Sequence, residues 1–165
     1  GVVPSISPSM DIEVSSNFER ALFWAHDRDG AAVSGLMQEL ANDGGFQVSD
    51  NAMGALTGVY DSGRVDEATT PEVITQTLAK RAELLCPHSA VGVHVADQHA
   101  VADTPMVTLA TAHPAKFPDA VEAATGIRPP LPKRMADLYD RSERVQRVGN
   151  DLNALKGIIR ECRRA

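Results

Sequence analysis

Two short stretches carry residue types that could do chemistry. Thr111 and His113 stand where the apolar run Met106-Val107-Thr108-Leu109-Ala110 gives way to Pro114-Ala115-Lys116-Phe117. An apolar run of strand length that stops at a hydroxyl, followed by proline and helical spacing, predicts a strand over 106–111 and a helix after it. In open α/β sheets, ligands bind at such carboxyl ends of strands. The Thr111 hydroxyl could therefore meet a ligand nitrogen or oxygen there, or could cap the helix begun by Pro114; the residues leave both readings open. The second stretch is Ser15-Ser16-Asn17 with Arg20. Ser16-Asn17-Phe18-Glu19 fits a capping box, and a helix start with free N–H groups and the positive end of its dipole can hold an anion. Asn17 adds an amide and Arg20 a forked cation suited to phosphate. A surface cap beside a solvated arginine accounts for the same residues.

Other chemistries find less support. His94 and His99 are spaced off a common helix face, His26, His88 and His113 are scattered, and no HExxH or comparable ligand spacing occurs. Solvated or core histidines are the simpler account. There is no G-x-S-x-G elbow, P-loop or dinucleotide fingerprint.

Composition narrows the class. A chain of 165 residues is of single-domain length and can bury about 70% of its unfolded surface. With 43% hydrophobic and 23% charged residues it reads as globular. Aromatics make up only 4%, so the core must rest on aliphatic side chains. A net charge of -6 argues against a nucleic-acid partner. No apolar run approaches the roughly 18 residues of a membrane span, and no signal-peptide pattern is visible. Cys86 and Cys162 lack any CxxC spacing and read as reduced thiols of a cytoplasmic protein. The turn-rich opening, Gly1-Val2-Val3-Pro4 without an initiator methionine, is compatible with an excised piece of a longer chain.

The elements that must position the two stretches follow from periodicity. A helix from Ser16 places Phe18, Ala21, Leu22 and Ala25 on one face and breaks at Asp27-Arg28-Asp29-Gly30. A second uses Val33, Leu36, Met37 and Leu40 and stops at Gly44-Gly45. Phe46-Gln47-Val48 is a short extended piece, and Ser49 or Asp50 caps a third helix with Met53, Leu56 and Tyr60. Thr70-Pro71-Glu72 starts a fourth, with Ile74, Leu78 and Leu85 inward, ending at Cys86-Pro87. Val91, Val93 and Val95 alternate as in a strand, whereas Pro87-His88-Ser89 resembles a helix start; periodicity favours the strand. Phe117, Ala120, Val121 and Ala124 line a helix stopped by Gly126. After the stiff connector Arg128-Pro129-Pro130-Leu131-Pro132 come a helix over Lys133–Arg141 and a strand over Val145–Val148. A last helix follows, capped by Asn150 and carrying the stripe Leu152, Leu155, Ile159 and Cys162. The result is an α/β pattern whose two or three strands are too few to cover so many helix faces.

Three motifs resemble one family. Pro8-Ser9-Met10-Asp11-Ile12-Glu13-Val14-Ser15-Ser16-Asn17-Phe18-Glu19-Arg20 resembles the threonine synthase signature that joins Ser-Met-Asp-Ile to Ser-Ser-Asn-Phe-Glu-Arg. Pro87-His88-Ser89-Ala90-Val91-Gly92 is similar to that family's Pro-His-Thr-Ala-Val-Gly. Leu109-Ala110-Thr111-Ala112-His113-Pro114-Ala115-Lys116-Phe117 resembles its Thr-Ala-His-Pro-Ala-Lys-Phe. The tail from Arg128 onward reads like the family's C-terminus. Ser89 departs from the usual threonine and Glu13 from a frequent glutamine.

The resemblance implies a helix-rich α/β fold, the C-terminal part of a pyridoxal-phosphate enzyme of the tryptophan synthase β-like type (fold type II), with few parallel strands flanked by helices. Residues 1–165 would form part of the large cofactor-binding domain of an enzyme converting O-phosphohomoserine and water to L-threonine and phosphate. The family's Schiff-base lysine and glycine-rich phosphate loop lie upstream of the matched motifs. Lys80, Lys116, Lys133 and Lys156 stand in the wrong context to replace that lysine. The isolated chain is therefore expected to be inactive, to bind pyridoxal phosphate weakly or not at all, and to self-associate through faces meant for the missing N-terminal part. Carried over, Thr111 would meet the cofactor's pyridine nitrogen, and Ser16, Asn17 and Arg20 would hold the substrate phosphate; His88 and Ser89 would line the same cavity. The resemblance also turns the valine segment towards helix. A related phospholyase acting on another phosphorylated amino alcohol, and a non-catalytic binding module keeping the fold, remain as alternatives.

Overall fold

Helix punctuation, more than periodicity, decides where this chain folds. In the computed structural model, which describes residues 3–12 and 15–163, seven α-helices form: α1 Ser16–Ala25, α2 Gly30–Asp43, α3 Asp50–Thr57, α4 Thr69–Arg81, α5 Pro87–His99, α6 Pro118–Thr125 and α7 Leu152–Cys162. Glu13 and Gly1, singled out above, lie outside the described residues. The chain divides into two units, 1–130 and 131–165.

The first unit holds two apolar clusters. Helix α2 starts on Asp29, whose carboxylate accepts from the Ala31 and Ala32 N–H groups at 2.8 and 3.1 Å. It stops at Gly44, held at φ 73° where a side chain would be strained. Ser49 caps α3 through the Ala52 N–H. These punctuated helices bring Val33, Leu36 and Leu56 onto Leu22 of α1. The second cluster packs α4 against α5 and α6, with Ile74, Leu85, Ala90 and Val93 at its centre. Gly126 at φ 73° ends α6 as its position predicts.

Several expectations are corrected. Among the described residues no strand forms, so the predicted strands over 106–111 and 145–148 are absent, and the short piece Phe46–Val48 carries no regular secondary structure. A strand exists only through hydrogen bonds to a neighbour, and segment 106–111 has no strand partner among the described residues, with Val107 and Leu109 exposed. Val91, Val93 and Val95, whose alternation favours a strand, lie in helix α5, as the family resemblance implies; the first turns, Pro87 to Val91, are buried throughout, and turns covered all round lose the 3.6-residue signature. Helix α1 begins at Ser16 as expected, but the capping box does not form: the cap position falls on Ser15, and no side-chain capping bond is made. Phe18 is exposed; Phe23 packs on the first cluster in its place. Met53 and Tyr60 are exposed as well, leaving α3 anchored by Ala52 and Leu56.

Helix α4 is capped not by a hydroxyl at Thr70 but by Asp66, whose carboxylate accepts the Thr69 N–H at 2.7 Å. Hydrogen bonding by the Thr69 side chain first, and by this N–H second, lowers the Asp66 carboxyl pKa from its ordinary value. The helix ends at Arg81 instead of Cys86, with Ala82 left-handed at φ 54°. In the second unit the predicted helix over 133–141 is two single 3-10 turns, Lys133–Met135 and Leu138–Asp140, although the Arg141–Asp137 ion pair spans them at 2.6 Å. So short a helix cannot offset its nucleation cost without burial. Asp151, not Asn150, caps α7, and the α7 stripe Leu152, Leu155, Ile159 and Cys162 is exposed.

Leu22 is fully buried at the centre of the first cluster, so Leu22→Ala should cost about 2–5 kcal/mol. A denaturant titration checks this, with Val59→Ala, at a side chain 77% exposed, expected to stay within about 0.5 kcal/mol.

Candidate active-site cleft

The first turn of α5 is where distant parts of the first unit meet. Cys86-Pro87-His88-Ser89 is buried throughout. Proline at the first helical position fits there without losing a bond, and the Cys86 sulfur accepts from the Ser89 N–H at 3.4 Å as the cap. That arrangement presents two consecutive side chains to other segments. His88 Nε2 accepts the backbone N–H of Ser9 at 3.0 Å, and Ser89 Oγ accepts the backbone N–H of Thr111 at 3.2 Å. One turn further along, Gly92 lets segment 106–111 lie close: a Cβ there would come within 3.2 Å of the Thr108 methyl.

These contacts enclose a cleft of about 530 Å³, walled by Ser9 and Met10, the 61–63 loop, α5, and the segment from Thr108 to Phe117. The Thr111 backbone is bound while its hydroxyl makes no hydrogen bond among the described residues. The cap function weighed for Thr111 is taken by His113, whose Nδ1 accepts the Ala115 N–H at 3.1 Å at the start of the 3-10 turn Pro114–Lys116. His113 is thus spent on local structure, and Thr111 keeps a free donor and acceptor on the cleft wall.

Charge in the cleft is sparse. Lys116 and Asp61 line it, the latter paired with His99 Nδ1 at 3.0 Å. The His88 ring lies against Phe117, centroids 4.5 Å apart, with its Nδ1 buried and without a partner. Burial lowers the His88 pKa, the Lys116 charge adds to this, and Asp11 opposes it, so the ring favours the neutral form. No group of three or more possible metal-binding side chains occurs among the described residues.

Ser16, Asn17 and Arg20 sit on the first turns of α1, all exposed. They are not among the walls of the Thr111 cleft. The chain leads into them from Ser9 and Met10, which are. His88 and Ser89 act as structural links that spacing alone did not reveal. The visible signal was a proline-started run of small residues too apolar to face solvent.

The Ser89 hydroxyl is buried and serves both Cys86 and Thr111. Ser89→Ala should cost about 1 kcal/mol and raise amide exchange at Thr111, whereas Ser89→Thr keeps the hydroxyl and the protection. Equal exchange in both variants would remove Ser89 as the anchor.

Comparison with known proteins adds independent findings. Residues 89–159 match a family model described as threonine synthase, C-terminal. The chain is 44% identical over 158 residues to threonine synthase of Pseudomonas aeruginosa, covering 94% of this chain and 34% of that one. A pyridoxal-phosphate-bound threonine synthase from Brucella melitensis superposes with a TM-score of 0.84 at 49% identity, over 100% of this chain and 36% of that one. Yeast threonine synthase superposes with a TM-score of 0.74 at 31% identity, over 98% and 36%. The chain thus spans about a third of the length of the relatives it matches. By sequence and by structure it is a relative of threonine synthases that corresponds to their C-terminal third.

Proposed function

We propose that this chain is part of an enzyme converting O-phosphohomoserine and water to L-threonine and phosphate, and that residues 1–165 contribute to its large cofactor-binding domain, of fold type II. The observation that carries the reading is Thr111: its backbone is pinned by Ser89 while its hydroxyl stays free on the cleft wall. The fit to pyridoxal phosphate is chemical. A neutral hydroxyl can hydrogen-bond a pyridine nitrogen, and Val91, Val95 and Phe117 give the cleft apolar walls that would suit an aromatic ring. When bound, pyridoxal phosphate supplies an electron sink for carbanion chemistry. Thr111 sets the ring's orientation; being uncharged, it does not hold the ring nitrogen protonated as a carboxylate would. The lysine that would carry the cofactor is assigned to the part of the enzyme outside this chain.

Ser16, Asn17 and Arg20 are proposed to hold the substrate phosphate. The first turn of α1 has no side-chain cap, so its free N–H groups and dipole favour an anion. The Arg20 guanidinium can engage two phosphate oxygens at once. Segment 106–111 is proposed to pair with strands of the remaining part of the enzyme, supplying the partner that it lacks among the described residues. A cytoplasmic setting accords with free thiols at Cys86 and Cys162. No helix among the described residues is long and apolar enough to cross a membrane.

Phosphate release by the full-length enzyme tests the reading. O-Phosphohomoserine should be turned over to threonine; release from a different phosphorylated amino alcohol alone would reassign the reaction to a phospholyase. Thr111→Ala should lower kcat by about tenfold, the ~1.4 kcal/mol equivalent of one hydrogen bond, while Thr111→Ser keeps most of it. Arg20→Ala should raise KM for the substrate by about tenfold or more with a smaller effect on kcat. Unchanged constants in either variant would take that residue out of the site.

A further inference from the structure

The segment Ser5–Asp11 is a closed loop at one wall of the cleft. The Ser5 N–H and hydroxyl both donate to the Asp11 carboxylate at 2.8 Å. The Ile6 N–H donates to Glu67 Oε1 at 3.1 Å, tying the loop to the residues before α4. On the α5 side, the Ser9 N–H donates to His88. Ser9 and Met10 form one wall of the cleft, and α1 with Ser16, Asn17 and Arg20 follows a few residues later.

We propose that His88 is a positioning residue that clamps the Ser5–Asp11 strap against α5 only while its imidazole is neutral, and that protonation releases the strap and opens the cleft wall. The argument is one of donors and acceptors. A backbone N–H can only donate, so Nε2 must carry its lone pair, and the single ring proton must sit on Nδ1. Adding a proton puts an N–H of the ring against the N–H of Ser9, and the contact that spans 79 residues of sequence becomes repulsive.

The surroundings agree with a neutral ring. The ring is buried against Phe117, and burial disfavours charge. Two charged groups act on it from the elements packed around it. Lys116, from the 3-10 turn beside Phe117, repels a second positive charge, and Asp11, from the strap itself, attracts one. Asp11 is already engaged by Ser5, so its pull on the ring is shared. Burial lowers the ring's folded-state value below its ordinary 6.5. The clamp's contribution is therefore whole above pH 6.5 and lost as the pH falls through the lower folded value.

This inference concerns the same cleft as the proposed reaction but does not depend on it, because its readout is the Ser9 amide itself. Hydrogen exchange is measured in the full-length protein from about pH 8 to about pH 4.5, corrected for the intrinsic pH dependence of exchange. Protection of the Ser9 amide should fall by about tenfold or more as His88 protonates, while the amide of Leu22, in the first cluster, keeps its protection. H88Q, with a carbonyl acceptor that does not titrate, should keep Ser9 protected across the range. H88F, which keeps an aromatic ring but no acceptor, should lose that protection at every pH. Protection of Ser9 that is flat with pH in the wild-type protein, or that falls identically in H88Q, overturns the proposal. If H88Q fails to fold, shown by loss of Leu22 protection, the wild-type curve decides alone.

Discussion

Everything that faces the cleft depends on one buried helix turn. The N-terminus of α5 is held by proline and by a thiol cap, which leaves the next two side chains free to bind other segments. His88 and Ser89 use that freedom on Ser9 and Thr111, 79 and 22 residues away. Both accept a backbone N–H, so both fix main chain and leave the side chains of the tethered residues available. A helix turn covered by solvent could not do this: water would compete for each N–H, and the net worth of such bonds is small unless they are dry.

The pattern also explains why small residues surround the site. Ala90 is fully buried, and Gly92 admits the Thr108 methyl at a distance a side chain would contest. Helix α5 is a surface on which backbone is laid. An aromatic-poor core serves this purpose, since thin side chains bring α4, α5 and segment 106–111 close together.

Much of the fold was legible in the sequence wherever an element's end was marked chemically. Gly44 ends α2, Ser49 starts α3 and Gly126 stops α6, each through a local hydrogen bond or a left-handed residue that the sequence announces. Legibility failed where tertiary context outweighed pattern. The Val91-Val93-Val95 alternation pointed to a strand because the buried first turns of α5 carry no polar face to give the helix away. The segment 106–111 has strand composition without a neighbour to pair with. In the site, Thr111 was visible as a hydroxyl at a chain junction, but its freedom was decided by His113 taking the cap. His88 carried no spacing signal at all; its role arises from a residue far away in sequence. Of the proposed anion group, the residues were readable, whereas the expected capping box was not, since Ser15 took the cap position.

The two apolar clusters differ from the cleft in how far apart in sequence their members lie. The first gathers residues between 21 and 56, and the second is drawn mostly from 73 to 93. Contacts so local close small loops and form early. Of the ties that shape the cleft, Ser9 to His88 spans 79 residues, farther than any pair within either cluster, whereas Ser89 to Thr111 spans 22 and is as local as the clusters themselves. By loop-closure entropy the docking of the strap on His88 is thus the costliest of these contacts to close. A chain arrested before its N-terminal strap docks would hold native-like helices and no formed site.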